Sequence, residues 1–285
     1  MTDPSLSASV PPGSCVVVAD AALVDGVARG PTAVLALGGA IAAVDDPAVI
    51  LADPRAAGLP RVDWSDRAMI PGTVNAHNHS FQSLLRGIGD DLPFLVWRDR
   101  ALYRYSPRLG PEGLYTGALF AFGEMLLHGV TTVCDFFYIN AGGNGNAIAV
   151  IEAARRLGVR IVLARCFYDW EGAPASYRET LPQAVAGFQA LHASHGTDPR
   201  WLSAVHPAPH SQHGATPAMI EAAAGCARDA DTPWHIHLAE EQYQVDQSLA
   251  RFAARPLHAV DALGVIDDRM IAVHGCWFDD GERAV

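Results

Sequence analysis

The sequence has few cysteines, and none of them is spaced as a thiol pair. The five cysteines stand at positions 15, 134, 166, 226 and 276, an odd number with no CxxC motif among them. This pattern argues against a framework of disulfide bonds and indicates free thiols, which persist in a reducing compartment. We therefore expect a cytoplasmic location.

Long hydrophobic runs are also missing. No window of the 285 residues is apolar enough to cross a bilayer, and the first 14, MTDPSLSASVPPGS, lack the basic start and apolar centre of a signal peptide. Half of the chain is nevertheless hydrophobic, which suffices for one large core or two modest ones. The sequence predicts a globular protein with residues 1–14 as a disordered tail.

The sequence has few basic residues relative to acidic ones. The chain has 20 basic against 31 acidic residues, a formal net charge of −11. A surface of this sign repels nucleic-acid polymers and anionic membranes. We expect neither as a partner and instead expect a small-molecule substrate.

The periodicity of the sequence changes near residue 71. Residues 15–70 contain short β segments separated by Gly, Pro and Asp, which predict a small all-β module. In residues 71–285, strand-like runs alternate with amphipathic segments, which is typical of parallel βαβ units. The predicted strands are 73–79, 130–136, 159–166, 201–206, 234–239 and 270–274. The predicted helices are 81–89, 111–128, 145–157, 176–194, 216–229 and 241–263.

Histidines mark the ends of three of these strands. The run PGTVNAHNH places His77 and His79 two residues apart, so both side chains point to one face of a strand. His237 and His274 end two later strands. Histidine is a common ligand of zinc-like metals, and the carboxyl ends of barrel strands meet at one site. The pattern predicts a divalent-metal site in an α/β fold of the (β/α)8 TIM-barrel type.

Taken singly, the residues of this pattern also fit simpler roles. An isolated HxH occurs by chance, and Glu240 stands where the helix dipole favours any carboxylate. His206 either faces a pocket at the ends of the predicted strands or is a buried, hydrogen-bonded residue. His235 alternates in register with His237, and we interpret it as a structural neighbour rather than a ligand.

In this order, PGTVNAHNH, GVTTVCDF, HPAPHS, HIHLAEE and IAVHGCW resemble the amidohydrolase superfamily, in particular its metal-dependent deaminases. The resemblance implies that His77, His79 and His237 bind one divalent metal, zinc or else iron. It implies that Glu240 carries protons and that His274 positions the attacking water. It also implies that residues 15–70 are the N-terminal part of a small β-sandwich beside the barrel.

Within the superfamily, HNHSFQSLLRG, FLVWRDRALYRY, DFFY and HSQHGAT most resemble formimidoylglutamate deiminase. That resemblance implies substrate contacts from Gln82, Arg98, Tyr138 and His210. Where that family has a second arginine, this chain has His213, a poor clamp for a carboxylate. We therefore expect an amidine, guanidine-like or aminated heterocyclic substrate with at most one carboxylate. Arg98 could equally be a surface charge in the run Arg98-Asp99-Arg100.

An eight-stranded barrel typically needs about 250 residues, and only six strands are predicted between 71 and 285. We expect a barrel truncated after its sixth strand, without the aspartate that in this superfamily follows the eighth. Open strand edges favour self-association, so a homo-oligomer is a further expectation. Three functions remain open. The first is a deaminase or iminohydrolase that releases ammonia, the second is an inactive remnant of such an enzyme, and the third is a hydrolase that displaces chloride or sulfur from a heteroaromatic ring.

Overall fold

The computed structural model describes residues 13–196 and 203–285. Residues 1–12 of the predicted tail and residues 201–202 of a predicted strand lie outside the described part. The chain divides after Gly72 into two compact units, and each is described by itself. Among the described residues, no helix is both long and apolar enough to cross a membrane.

The N-terminal unit is a five-stranded sheet. Its strands are β1 (Cys15–Val24), β2 (Val27–Arg29), β3 (Thr32–Leu37), β4 (Ala40–Asp45) and β5 (Arg61–Met69), with one short helix at Pro47–Ala52. The antiparallel order is β2-β1-β3-β4, and β5 joins β1 in parallel. The module starts inside the predicted tail, because buried Ser14 accepts a hydrogen bond at Oγ from the Gly38 backbone N–H.

The second unit contains the alternating strands that the sequence predicts. They are β6 (Thr73–Asn78), β7 (Val130–Phe137), β8 (Arg160–Phe167), β9 (Ala204–Pro209), β10 (Trp234–Leu238) and β11 (Met270–His274). β6 to β9 form one parallel sheet in chain order, and β10 pairs with β11 in parallel. The two sheets meet where the backbone N–H of His237 donates to the carbonyl of His210, 3.1 Å away.

The helices between these strands depart from prediction in three places. The segment after β6 is a 3₁₀ helix, Ser80–Leu85. The helix predicted to start at 176 starts at Leu181, where Thr180 and Gln183 form a capping box. The helix predicted for 241–263 is two helices, because Ala253 adopts a left-handed conformation and Pro256 starts a new turn. The main helices are Pro111–Leu127, Gly145–Leu157, Leu181–His195, Pro217–Ala230, Gln242–Phe252 and Pro256–Asp261.

The second unit therefore has the parallel arrangement of a βα-barrel, in which successive strands are covered by helices. β10 illustrates the packing, since all five of its residues are buried, as expected of a parallel strand covered on both faces. Because the strands are parallel, their carboxyl ends lie at one side of the unit, here called the barrel mouth. His77, His237 and His274 all lie at or next to those ends.

Candidate functional site

Four imidazoles converge at the barrel mouth. The Nε2 atoms of His77 and His237 lie 3.2 Å apart. The ring of His79 lies 4.8 Å from that of His77 and 5.4 Å from that of His237, between centroids. His274 joins His77 and His237 in a group whose ligand atoms all lie within 4.8 Å of one another. The first, fifth and sixth strands of the unit thus bring together the histidines that the sequence singled out.

Two of these rings are held by the backbone. Nδ1 of His79 lies 2.6 Å from the Phe136 carbonyl oxygen, and Nδ1 of His237 lies 2.7 Å from the His210 carbonyl oxygen. A carbonyl only accepts, so in both rings Nδ1 carries the proton and donates it. Nε2 then keeps its lone pair, which is the arrangement in which histidine binds a metal. Buried Nδ1 of His77 has no partner among the described residues.

Burial keeps these imidazoles uncharged. It lowers the pKa of His77 to about 3 and that of His79 to about 4, and it holds the pKa of His237 well below its usual value. In each case desolvation is the main cause, and neighbouring histidines add to it. At neutral pH His77, His79 and His237 are therefore neutral nitrogen donors, since protonated rings could not act as ligands.

Glu240 faces His274 across the mouth. Its Oε1 lies 3.6 Å from His274 Nε2, and Gln244 donates from Nε2 to the same carboxylate at 3.5 Å. Burial raises the pKa of Glu240, while His274 and Gln244 oppose that shift. A carboxyl group with a raised pKa next to an imidazole is suited to accepting and returning a proton. Two non-glycine residues there have positive φ, Ala239 at 47° and His274 at 75°.

The strand that carries His77 is irregular where the site forms. The pairing of β6 with β7 shifts register between Asn75 and Asn78. The His77 backbone N–H instead donates to the side-chain oxygen of Asn75, at 3.2 Å. Bulges of this kind are common beside active sites, where they redirect a side chain.

A cavity of about 270 Å³ opens above the histidines. All five residues predicted to contact substrate line it: Gln82, Arg98, Tyr138, His210 and His213. Gln82 donates from Nε2 to the Tyr138 hydroxyl at 2.7 Å, and His210 stacks on Tyr168 with ring centroids 4.2 Å apart. The structure thus brings every predicted site residue to one pocket.

Arg98 forms part of the cavity wall and is not a freely solvated surface charge. Its guanidinium carbon lies 4.9 Å from the Tyr103 ring centroid and 5.7 Å from that of Trp170. Its side chain is 23% exposed and pairs through Nε with Asp99 at 2.8 Å. His213 adds no second cation, because burial, reinforced by Arg98 and Arg251, lowers its pKa to about 4.

Several residues that line the cavity are not predicted from the sequence, and most of them are aromatic. Tyr168 and Trp170 follow the end of β8 just as Tyr138 follows the end of β7, so strand position could have identified them. Tyr243 and Gln244 could have been identified by their spacing from Glu240 on the following turn. The lining residues without a prediction are Phe94, Leu102, Tyr103, Tyr168, Trp170, Tyr177, Tyr243 and Gln244, and Trp97, next to Arg98 in the chain, also lines the cavity.

His235 and His206 form a pair separate from this cavity. Nδ1 of His206 lies 2.9 Å from Nε2 of His235, and Nδ1 of His235 lies 3.9 Å from the Cys134 sulfur. Neither histidine lines the cavity. For His206, the hydrogen-bonded role therefore fits better than the pocket-facing one.

Comparison with known proteins agrees with this fold. Residues 68–285 match the model of the amidohydrolase family. A 5-methylthioadenosine/S-adenosylhomocysteine deaminase of Syntrophobacter fumaroxidans is 30% identical over 267 residues, which cover 92% of this chain and 58% of that protein. A 5′-deoxyadenosine deaminase of Methanoregula boonei is 32% identical over 231 residues, covering 79% of this chain and 48% of that one.

Solved structures of deaminases share the fold of this chain. An adenosine deaminase from Xanthomonas campestris with bound zinc superimposes with a TM-score of 0.84 at 30% identity, over 95% of this chain and 60% of that chain. Guanine deaminase from E. coli shares the fold, with a TM-score of 0.80 at 17% identity. The chain spans about half to three fifths of the length of these relatives. With the family model covering most of its length, the chain belongs to the amidohydrolase family.

Proposed function

We propose that this protein is a metal-dependent hydrolase of non-peptide C–N bonds, a deaminase or iminohydrolase that releases ammonia from a small substrate. The observation that carries the proposal is the meeting of neutral histidines with the Glu240–His274 pair at the floor of one cavity. The relatives named as deaminases support the same class of reaction. The free state of all five cysteines is consistent with a cytoplasmic location.

The residues present fit one divalent metal ion. Two Nε2 atoms only 3.2 Å apart, on rings that burial keeps neutral, are a costly arrangement without a shared proton or cation. The carbonyl-bound Nδ1 atoms of His79 and His237 fit the same interpretation. Nitrogen donors of this kind suit zinc first, and iron as well.

We assign His77, His79 and His237 as the ligands. His79 and His237 are anchored alike through Nδ1, which leaves Nε2 of each for a metal. The group of three histidines whose ligand atoms lie within 4.8 Å of one another instead contains His274 in place of His79. We assign His274 a different part because its Nε2 faces the Glu240 carboxylate. Substitution of His79 and of His274 distinguishes the two assignments.

When bound, a divalent ion supplies a Lewis acid that makes an attacking water more acidic. The chain's own residues then carry the proton. Glu240 accepts it from the water as the new C–O bond forms and delivers it to the nitrogen as the C–N bond breaks, so the nitrogen leaves as ammonia. His274 hydrogen-bonds to the attacking oxygen and holds it against the substrate carbon. Both groups lie at the cavity floor.

The walls of the cavity favour a planar substrate of modest size with at most one negative charge. Aromatic rings from Tyr103, Tyr138 and Tyr168 line it, and such rings stack well on planar groups. Arg98 offers one cation, and neutral His213 offers none. Amidines, guanidine-like compounds and aminated heterocycles all satisfy these conditions, whereas a dicarboxylate does not.

The test is an ammonia assay on the zinc-loaded protein, with a panel of amidines and aminated heterocycles and with Glu240→Gln as the inactive control. We expect ammonia from at least one member and none above background from the variant. Chlorinated analogues run in parallel detect displacement of chloride. If chloride but no ammonia appears, the deaminase class is wrong. If about one equivalent of metal binds and no panel compound reacts, the inactive-remnant alternative replaces the proposal.

A further inference from the structure

A fully buried carboxylate lies beside the histidines and takes no part in the proposed reaction. Asp135, on β7, is 0% exposed. Burying an ionisable group without partners is costly, and the environment of Asp135 reflects that cost, since desolvation raises its pKa to about 6. Such a residue in a strand needs a structural or functional reason.

Among the described residues, the hydrogen-bond partners of the Asp135 carboxylate belong to the two residues that flank His79. Its Oδ1 accepts from the Ser80 backbone N–H at 2.6 Å and from Asn78 Nδ2 at 3.0 Å. Its Oδ2 accepts from the Ser80 hydroxyl at 2.9 Å. The next residue of the same strand, Phe136, accepts from the His79 ring itself. Two consecutive residues of β7 therefore hold His79 by its ring and by both of its neighbours.

These contacts of Asp135 and Phe136 replace backbone hydrogen bonds that the pairing of β6 with β7 does not supply. The pairing of β6 with β7 loses its register between Asn75 and Asn78, so the ladder does not fix the segment that carries His77. The pairing resumes at Asn78, opposite Asp135. The side chain of Asp135 thus acts where the ladder resumes, between the irregular segment that carries His77 and the strand end next to His79.

We propose that Asp135 is a positioning residue whose carboxylate, by holding Asn78 and Ser80, fixes the imidazole of His79 for metal binding. The metal part of this inference rests on the proposed function, whereas the fixing of the ring does not. Groups that orient a metal ligand typically change metal affinity by roughly 10- to 100-fold when removed. Loss of the Asp135 acceptors is expected to fall in this range.

The experiment compares Asp135→Leu, which removes both acceptors, with Asp135→Asn, which keeps one oxygen and the shape. Asp169→Leu is the control, because Asp169, two residues after the end of β8, likewise accepts from a backbone N–H and a hydroxyl of one residue, Thr216, at 2.9 and 2.7 Å. Affinity for Zn²⁺ alone is measured by competition with a chelator. The Nδ1–H signal of His79 is followed by NMR in the metal-free protein, with folding checked by circular dichroism.

We expect Asp135→Leu to weaken Zn²⁺ binding by roughly 10- to 100-fold and to lose the protected His79 Nδ1–H signal. Asp135→Asn should weaken binding several-fold and keep the signal, and Asp169→Leu should change neither. A folded Asp135→Leu variant with unchanged affinity and signal overturns the inference. If that variant does not fold, unchanged affinity in Asp135→Asn overturns it instead. Absence of Zn²⁺ binding in the unmodified protein refutes the proposed function, and the His79 signal then decides the positioning role alone.

Discussion

His77 and His237 meet across the barrel mouth with their Nε2 atoms 3.2 Å apart, although 160 positions separate them in the chain. Neither ring carries a charge at neutral pH, because burial lowers both pKa values. The contact is therefore free of repulsion between like charges. It joins the first strand of the barrel unit to the fifth through two nitrogen donors, and the predictions about metal and turnover depend on it.

The first prediction concerns the metal ligands. Protein purified without chelator should contain about one equivalent of zinc or iron, and the double variant His77→Ala, His237→Ala should contain none. His79→Ala should also lose metal, because its Nε2 is assigned to the ion, whereas His274→Ala should retain it. Elemental analysis measures all four proteins. Retention by His79→Ala together with loss by His274→Ala would show that His274 is the third ligand.

The second prediction concerns the proton carrier. Glu240→Gln keeps the shape of the side chain but cannot accept a proton, so ammonia release should fall by a factor on the order of 10² to 10⁴. Metal content should stay unchanged, since Glu240 contacts His274 and Gln244 rather than the assigned ligands. Glu241, the next residue in the chain, supplies the control as Glu241→Gln. Equal losses in both variants would contradict the role of Glu240.

The third prediction concerns charge selection by Arg98. Arg98→Met should raise KM for a substrate with one carboxylate by about tenfold or more, because a charge-assisted hydrogen bond contributes roughly 1.5–3 kcal/mol. The KM of a neutral analogue should change little, since the methionine retains apolar contact with Tyr103 and Trp170. Steady-state kinetics with such a pair of substrates measures the difference. Equal effects on both substrates would mean that Arg98 acts through packing alone.

The fourth prediction concerns acid stability. A histidine with a usual pKa of 6.5 must shed its proton to be buried, and burial lowers the pKa of His206 and of His213 to about 4. Between these values the unfolded chain binds more protons than the folded one, so the free energy of unfolding decreases as pH falls. Each such group contributes about 1.4 kcal/mol per pH unit. Buried Asp135, with its pKa raised to about 6, has the opposite effect on stability. It is one group, however, against the two histidines.

Urea denaturation of the metal-free protein between pH 7 and pH 5 measures this dependence. The stability should be highest above pH 6.5 and should decrease on acidification with a slope of more than one proton. His206→Gln should reduce the slope by about one proton. A pH-independent midpoint over this range would show that the buried histidines are not neutral in the folded state.

The fifth prediction concerns association. Among the described residues, β6 pairs only with β7 and β11 only with β10. Val74 on β6 is 65% exposed and Ile271 on β11 is 40% exposed. Unpaired strand edges with apolar side chains promote association, so light scattering should detect oligomers. The double variant Val74→Lys, Ile271→Lys should reduce them, and Leu127→Lys, at an exposed helix end, should not.

The sequence predicted the strands of the barrel unit well, because parallel strands are short apolar runs bounded by glycine and polar residues. It failed where local geometry depends on tertiary contacts. Pro256 signals a break within 241–263, and the prediction of one continuous helix overlooks it; the left-handed turn at Ala253 has no such residue signal. The start at Leu181 was missed because residues 176–180 resemble a helix in composition but pack as a loop.

The candidate site could be predicted to the level of residues but not of contacts. His77, His79, His237 and His274 stand at or next to predicted strand ends, and the superfamily resemblance adds Glu240 and the role of each residue. The pairing of His274 with Glu240, and the clamp of Asp135 around His79, depend on distances that one-dimensional spacing does not contain. The subgroup resemblance to formimidoylglutamate deiminase remains a prediction, whereas the named relatives are deaminases of adenosine derivatives.

The placement of Trp97 and Trp170 in the wall of the cavity has a practical consequence. Indole fluorescence responds to the polarity and charge around the ring, and Trp170 lies against the guanidinium of Arg98. A ligand that enters the cavity displaces water from both indoles and redistributes the charge next to one of them. The protein therefore contains its own optical reporter of occupancy, and compounds can be screened for binding by emission spectroscopy before any turnover has been detected.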